Sequence, residues 1–327
     1  MDIKEQTSNF KHMVNNYKLT YIIISSNDIG IFDCLSKESK SLLQISKELQ
    51  IEENRLEPIL NVLTFYKIID KNKNGYYLGE YNEILNKDSK YNQKGYIDFA
   101  KTIMKKYQVL ENSIRNKNFA KDNFKELTEN NAESFMRGME ANAISQAKFI
   151  AESYDFENHN ILDIGAGAGT YLITVAKKYN TVKGKMIDLL RMVKIENIKI
   201  EEEQLQERII AEECNYNISF PTEKYDDVFL FAVAHQEPEG NLNKLLNNSY
   251  NILKPNGRLF LTSFFLNEDR ASPEFSVQFA VEMLMNSNNG KVYTHKEIEN
   301  LMKENNFKEI ERIDKMPSSA TLYIAKK

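Results

Sequence analysis

Three glycines at alternate positions, with an acid before them and another after, are the residues best spaced to do chemistry. In Ile161-Leu-Asp-Ile-Gly-Ala-Gly-Ala-Gly-Thr170 a short apolar run reaches Asp163 and then meets Gly165, Gly167 and Gly169. The run is too short for a helix, and helical sequence follows it, so the stretch reads as buried strand, tight turn and helix start. Glycines let a backbone take positive φ and come close to a ligand. A helix start offers unpaired N–H groups. Asp188 ends the next apolar run, with Leu189 behind it. A carboxylate there can accept hydrogen bonds from both ribose hydroxyls of an adenosine. The spacing is G-x-G-x-G rather than the dinucleotide pattern G-x-G-x-x-G, and an acid stands in front of it. Both features favour a methyl-donor site over a dinucleotide site.

These residues need a scaffold, and the chain is long enough to supply one. Its 327 residues suggest about two domains, and 42% apolar with 28% charged residues is a globular composition. A net charge of −4 argues against a protein dominated by phosphate contacts. Cys34 and Cys214, the two cysteines, make neither a disulfide framework nor a cysteine zinc site. Met-Asp-Ile-Lys-Glu-Gln is no secretory signal, and the early apolar run Tyr21–Ile24 is too short to span a bilayer. A cytoplasmic protein with no membrane contact is expected.

Residues 1–90 read as short helices and a hairpin. Phe10–Ile24 has helical spacing, and Asn27-Asp28 is expected to cap a helix carrying Ile31, Phe32 and Leu35. Ser41–Leu49 is another helix, and Asn54 is expected to cap the helix Arg55–Tyr66. Strands on either side of Lys71–Gly75 complete a winged-helix pattern. Such a module either reads DNA or packs against a copy of itself. The helix that would enter a groove offers only Arg55, with Lys67 just past its end, so dimerisation is expected and nucleic acid is not. Residues 91–155 read as a helical connector that lines a pocket, and 156–327 as the ligand-binding domain. In the latter, strands alternate with helices, which predicts a mostly parallel sheet covered on both faces. A turn is expected at Pro255-Asn-Gly257 ahead of the fifth strand.

The chain resembles a class I S-adenosylmethionine-dependent methyltransferase. More specifically, it is similar to the small-molecule O-methyltransferases with an N-terminal winged-helix dimerisation domain, of the caffeate and hydroxyindole type. Beside the glycine motif, the resemblance rests on Gly30-Ile-Phe-Asp-Cys-Leu35, Tyr76-Tyr-Leu78 and Leu253-Lys-Pro-Asn-Gly-Arg-Leu259. It implies an α/β fold with a Rossmann-like methyltransferase sheet and an all-helical winged-helix region in front. It implies S-adenosylmethionine as cofactor, a small-molecule acceptor and a homodimer formed through the N-terminal domain. It also implies a catalytic base at His235, an imidazole that can take a proton from a hydroxyl as the methyl transfers.

The departures from the family pattern matter. Gln236 stands where the family has an aspartate after the histidine, so Glu237 is expected to replace the missing carboxylate partner. Cys214-Asn215-Tyr216 replaces the family's Gly-Asp-aromatic, with Asn215 able to hydrogen-bond an adenine edge and Tyr216 beside it. The expected acceptor wall is Phe135 and Met139 on one helix and Phe279 and Met283 on another, with His295 facing it or lying exposed. His235, His295 and Glu237 together would make a divalent metal site for a 2-oxo acid or enolate, giving carbon methylation as the alternative; no metal is assigned. A further alternative is a scaffold or regulator that binds the donor without transferring methyl.

Overall fold

The computed structural model describes residues 2–89, 91–116, 129–286 and 290–327; the side chains of 129–137, 142 and 286 lie outside the description. The chain divides into two compact units, Met1–Lys105 with Glu133–Ala141, and Lys106–Ala132 with Asn142–Lys327. No helix among the described residues is long and apolar enough to cross a membrane.

The first unit opens with α1 (Ile3–Asn15), α2 (Tyr17–Asp28), α3 (Ile31–Cys34), α4 (Leu42–Leu49) and α5 (Glu53–Phe65). Ser41 caps α4 in a reciprocal box with Gln44. Leu56, Leu60 and Leu63 lie on one face of α5 and join Ile24, Phe32 and Ile45 in a core. The hairpin β1 (Asp70–Asn72) and β2 (Gly75–Tyr77) closes this core. A Cβ on Gly75 would meet the Lys40 carbonyl at 2.1 Å, so only glycine fits. After α6 (Asn82–Leu85), α7 (Lys94–Tyr107) carries Ile97 and Ile103 inward.

Two expected caps do not form. Asn27 and Asp28 are the last residues of α2, where they bind Asp98 and Lys101, and Gly30 with φ 88° starts α3. Asn54 lies inside the first turn of α5, whose N-cap is Glu52.

In the second unit come α8 (Leu110–Arg115) and α9 (Glu129–Ser153), whose residues 133–141 belong to the first unit. Then β3 (Asn160–Ile164), α10 (Thr170–Lys178), β4 (Lys183–Asp188), α11 (Leu190–Glu202), β5 (Ile209–Glu213) and β6 (Tyr225–Phe231) follow. Next are α12 (Glu239–Ile252), β7 (Leu253–Ser263), α13 (Glu274–Asn286), α14 (His295–Glu304), β8 (Lys308–Ile313) and β9 (Thr321–Lys326). The seven-stranded sheet has the order β5-β4-β3-β6-β7-β9-β8. Pairings from β5 to β7 are parallel, and β9 runs antiparallel to both its neighbours.

Alternate residues of the strands serve the two faces. Leu162, Ile164, Val228 and Leu230 pack with Leu242 and Ile298 on one side. Ile161, Met186 and Phe229 pack with Leu172, Val175 and Ile200 on the other. The turn expected at Pro255-Asn-Gly257 lies instead inside β7. The pairing steps from Tyr225–Leu253 to Asp227–Arg258, and Asn256 takes φ 64°, which makes the segment a bulge.

Below the sheet, His159 Nδ1 lies 2.6 Å from Asp227 Oδ2, and Arg258 Nε donates to Asp227 Oδ1 at 2.7 Å. This clamp joins the chain entering β3 to β6 and β7. The hydrogen bond to Asp227 raises the His159 pKa above its ordinary value of 6.5. A raised native pKa gives stability that is fully present below about pH 6.5 and lost as pH rises through the native value. His159→Gln is therefore expected to lower stability by about 1 kcal/mol at pH 6. The loss should shrink at pH 9, read from urea midpoints at the two pH values.

Candidate functional site

β3 and β6 are neighbours in the sheet, and the chain leaves them in different directions. A crevice at the carboxyl ends of such strands is where open α/β sheets hold ligands. The glycine turn follows β3, and the His235 segment follows β6. The two meet at Gly165, where a Cβ would stand 2.9 Å from Val233 Cγ2. Gly165, Gly167 and Gly169 all have positive φ, between 63° and 71°. At Gly169, which caps α10, a Cβ would meet Met186 Sδ at 2.8 Å. Gly167 differs, because no atom of the described residues lies within 4 Å of its Cβ position.

Asp188, at the end of β4, grips the middle of the turn. Gly167 N donates to its Oδ2 at 2.9 Å and Leu189 N to its Oδ1 at 2.7 Å. Burial raises its pKa, and these two N–H groups act against the rise. Leu189 and Leu190 are half exposed, at 48% and 52%, an apolar shelf beside the acid. Cys214 N donates to the Asp188 carbonyl at 2.9 Å and brings the next loop alongside. In that loop Asn215 Oδ1 accepts from Asn217 N, which fixes the bend. Tyr216 reaches the Gly165 turn, with its ring edge 3.9 Å from the glycine's Cβ position.

Asp163 works from beneath. It shares a face of β3 with Ile161, is 1% exposed, and accepts a hydrogen bond from Leu172 N in the first turn of α10. Its Oδ2 has no hydrogen-bond partner among the described residues, and burial pushes its pKa well above the usual carboxylate range.

His235 sits in a short 3-10 turn, Ala234–Gln236, directly after β6. It is buried, with Nδ1 2.9 Å from Ser263 Oγ at the end of β7. The Phe279 ring meets it edge-on at 4.8 Å. Its Nε2 has no hydrogen-bond partner among the described residues. Burial lowers its pKa to about 4, so the imidazole is neutral at physiological pH.

The expected partnership of Glu237 with His235 does not form. Glu237 accepts from Tyr216 Oη at 2.9 Å, Asn217 Nδ2 at 2.9 Å and Asn241 Nδ2 at 3.0 Å. It ties the Tyr216 loop to α12, and Ser263 holds the histidine instead. Ser263 was invisible in sequence because a serine closing an apolar strand looks ordinary; its meaning comes from β7 lying beside β6.

His295 is neither exposed nor near His235 in its bonding. It is buried as the first residue of α14, with Nδ1 2.9 Å from Tyr323 Oη, and Tyr323 donates to Glu299 Oε1 at 3.1 Å. Tyr323 spends its single proton on Glu299, so His295 Nδ1 carries the hydrogen between them. Among the described residues no group of three or more His, Cys, Asp or Glu side chains is placed to hold a metal, and the arrangement of His235, His295 and Glu237 is absent.

Phe279 and Met283 lie one turn apart on α13, both partly exposed, and Phe279 is the one against His235. The Phe135 side chain lies outside the described residues, and Met139 belongs to the other unit. Sequence reasoning also passed over Glu196. It lies on the inner face of α11 with Met192, Val193 and Ile200, fully buried, and both carboxyl oxygens lack a partner among the described residues. Burial, with the Asp188 and Asp163 carboxyls adding to it, raises its pKa to about 9.

A family model described as an O-methyltransferase domain matches residues 106–308. A caffeic acid 3-O-methyltransferase of Capsicum annuum is 28% identical over 174 residues, 52% of this chain and 46% of that protein. An S-adenosyl-L-methionine-dependent methyl transferase, PigF, of a Serratia species is 30% identical over 142 residues, 42% of this chain and 40% of that protein. The matched part thus spans about half the length of these curated relatives. The solved structure of human N-acetylserotonin methyltransferase in complex with SAM superposes with a TM-score of 0.85 at 19% identity, covering 100% of this chain and 98% of that one. At that identity the likeness is one of fold.

Proposed function

Since this chain belongs to the O-methyltransferase domain family, we propose that it transfers a methyl group from S-adenosylmethionine to a hydroxyl oxygen of a small molecule. The observation that carries this reading is the meeting of two segments at the carboxyl ends of β3 and β6: the turn gripped by Asp188, and the neutral His235 with a free Nε2.

The residues fit the donor. No atom of the described residues stands within 4 Å of the Gly167 Cβ position, and Asp188 keeps lone pairs beyond those used by Gly167 and Leu189. Asp188 would hold the ribose hydroxyls, the glycine turn would pass along the amino-acid part, and Leu189, Asn215 and Tyr216 would flank the adenine. Asp163 supports the turn through the first turn of α10. When bound, S-adenosylmethionine supplies an electrophilic methyl on a sulfonium. The protein's part is to orient the acceptor oxygen and remove its proton. With Ser263 Oγ 2.9 Å from Nδ1 and accepting its hydrogen, the Nε2 lone pair of His235 would be left for the hydroxyl proton. The aromatic rings of Phe264 and Phe279 beside His235 exclude water and pack a flat acceptor. Positioning of this kind is a large part of what a displacement needs.

The reading includes a homodimer formed through the N-terminal helices. Support comes from α1, which buries none of its residues and leaves Ile3, Phe10, Met13 and Val14 exposed. Light scattering that finds only single chains at micromolar concentration would remove it.

The transfer itself is tested with methyl-labelled S-adenosylmethionine and a panel of hydroxyaryl acceptors, locating the label by NMR. Label on oxygen supports the reading, and label on carbon overturns it. Asp188→Ala removes both the ribose contacts and the grip on Gly167. It is expected to weaken donor binding at least about tenfold by calorimetry; unchanged affinity would show that Asp188 does not hold the donor.

A further inference from the structure

The inner face of α13 carries polar groups that the proposed mechanism does not use. On this helix Phe275, Phe279, Glu282 and Met283 fall within one arc at 3.6 residues per turn. Phe279 fixes the direction of the arc, since its ring lies against His235 and at 4.7 Å from Phe264. Phe275 is 38% exposed, and Phe279, Glu282 and Met283 are partly exposed, so this aromatic face is not filled by the chain's own core. Ser276, on the same helix one turn before Phe279, is fully buried, and its Oγ has no hydrogen-bond partner among the described residues.

Glu282 stands one turn after Phe279, where side chains three apart are about 5–6 Å from each other at Cβ. It is largely withdrawn from water, which raises its pKa, and Lys106 attracts it electrostatically. No described residue donates a hydrogen bond to it. Lys106 has an interaction of its own besides this attraction. A partly exposed carboxylate that no described side chain binds is open to a donor carried by a ligand, and a charged donor makes the stronger bond.

We propose that Glu282 is a specificity-determining residue that selects hydroxyaryl acceptors carrying a protonated amine, held one helical turn from the ring that packs on Phe279. This rests on the reading of the site as a methyltransferase acceptor site, and it adds the substituent that the acceptor bears. An anionic substituent at the same place would face Glu282 directly, and a neutral one would offer it no charged donor.

The test uses three catechols that differ only in their side arm: dopamine, 4-methylcatechol and 3,4-dihydroxyphenylacetate. Their binding to the full chain is measured by calorimetry, with and without saturating S-adenosylhomocysteine. Dopamine is expected to bind about tenfold tighter than 4-methylcatechol, and the acid more weakly than either. In Glu282→Gln the dopamine advantage should fall to about threefold or less, with the thermal midpoint checked to show that the variant is folded. Dopamine binding no tighter than 4-methylcatechol, or an advantage that survives in Glu282→Gln, overturns the proposal. Selection for dopamine that depends on Glu282 while S-adenosylhomocysteine does not bind would support it and count instead against the methyl-donor reading.

Discussion

His235→Ala is expected to lower kcat about 10²–10⁴-fold while donor affinity stays as it was. The imidazole is neutral because burial drives its pKa to about 4, so the base form is present across the physiological range. The activity profile should therefore lack the falling limb near pH 6.5 that an ordinary histidine base gives. Activity should decline only towards about pH 4. The same shift has a stability consequence. In the unfolded chain the group takes up a proton near pH 6.5, and in the folded chain it does so only near 4. The unfolded state then binds more protons between these values, so this contribution to stability is lost as pH falls from about 6.5 towards 4. A denaturation series at each pH keeps loss of fold apart from loss of base. Ser263→Ala, which removes the partner on Nδ1, should reduce kcat by less, since the ring remains but is less well aimed. A His235→Ala enzyme with full turnover would end the assignment.

Glu196→Gln is expected to stabilise the protein by up to ~3 kcal/mol at pH 7, and by little near pH 4.5. Glu196 is fully buried on α11, its oxygens without a partner among the described residues, and its pKa is raised to about 9 from an ordinary 4.5. At pH 7 the folded chain must hold a proton there that the unfolded chain does not. The penalty is absent below about 4.5, grows as pH rises, and levels off above about 9. Glutamine matches the protonated acid in shape and carries no charge at any pH, so the pH dependence of the difference isolates the protonation. Urea midpoints at pH 5 and pH 8 decide it. A gain that is equal at both pH values would show that the carboxyl is not carrying a proton.

Local pattern reached some of these features and not others. The strands, the glycine turn and Asp188 were legible because each follows from neighbours in sequence: apolar runs of strand length, positive-φ glycines, an acid at a strand end. The N-terminal helices were legible by their apolar spacing, but Asn27-Asp28 went to ion and amide partners on α7 rather than to a cap, because α2 continued through them. Pro255-Asn-Gly257 carried turn residues and became a bulge, since β7 was already paired with β6 on both sides of it. Partners proved harder to read. Glu237 is two residues from His235 yet bonds to Tyr216, Asn217 and Asn241, and Ser263 reached the histidine through the sheet. Glu196 did leave a trace. Met192, Glu196 and Ile200 repeat at four-residue steps, which puts an acid in the buried stripe of a helix.

The central claim is that the turn gripped by Asp188 is a methyl-donor site, and calorimetric titration of the full chain with S-adenosylmethionine tests it most directly. The account predicts saturable binding at about one site per chain, competed by S-adenosylhomocysteine and not by NADH. No heat with S-adenosylmethionine, or binding of NADH at the same site in its place, would contradict it.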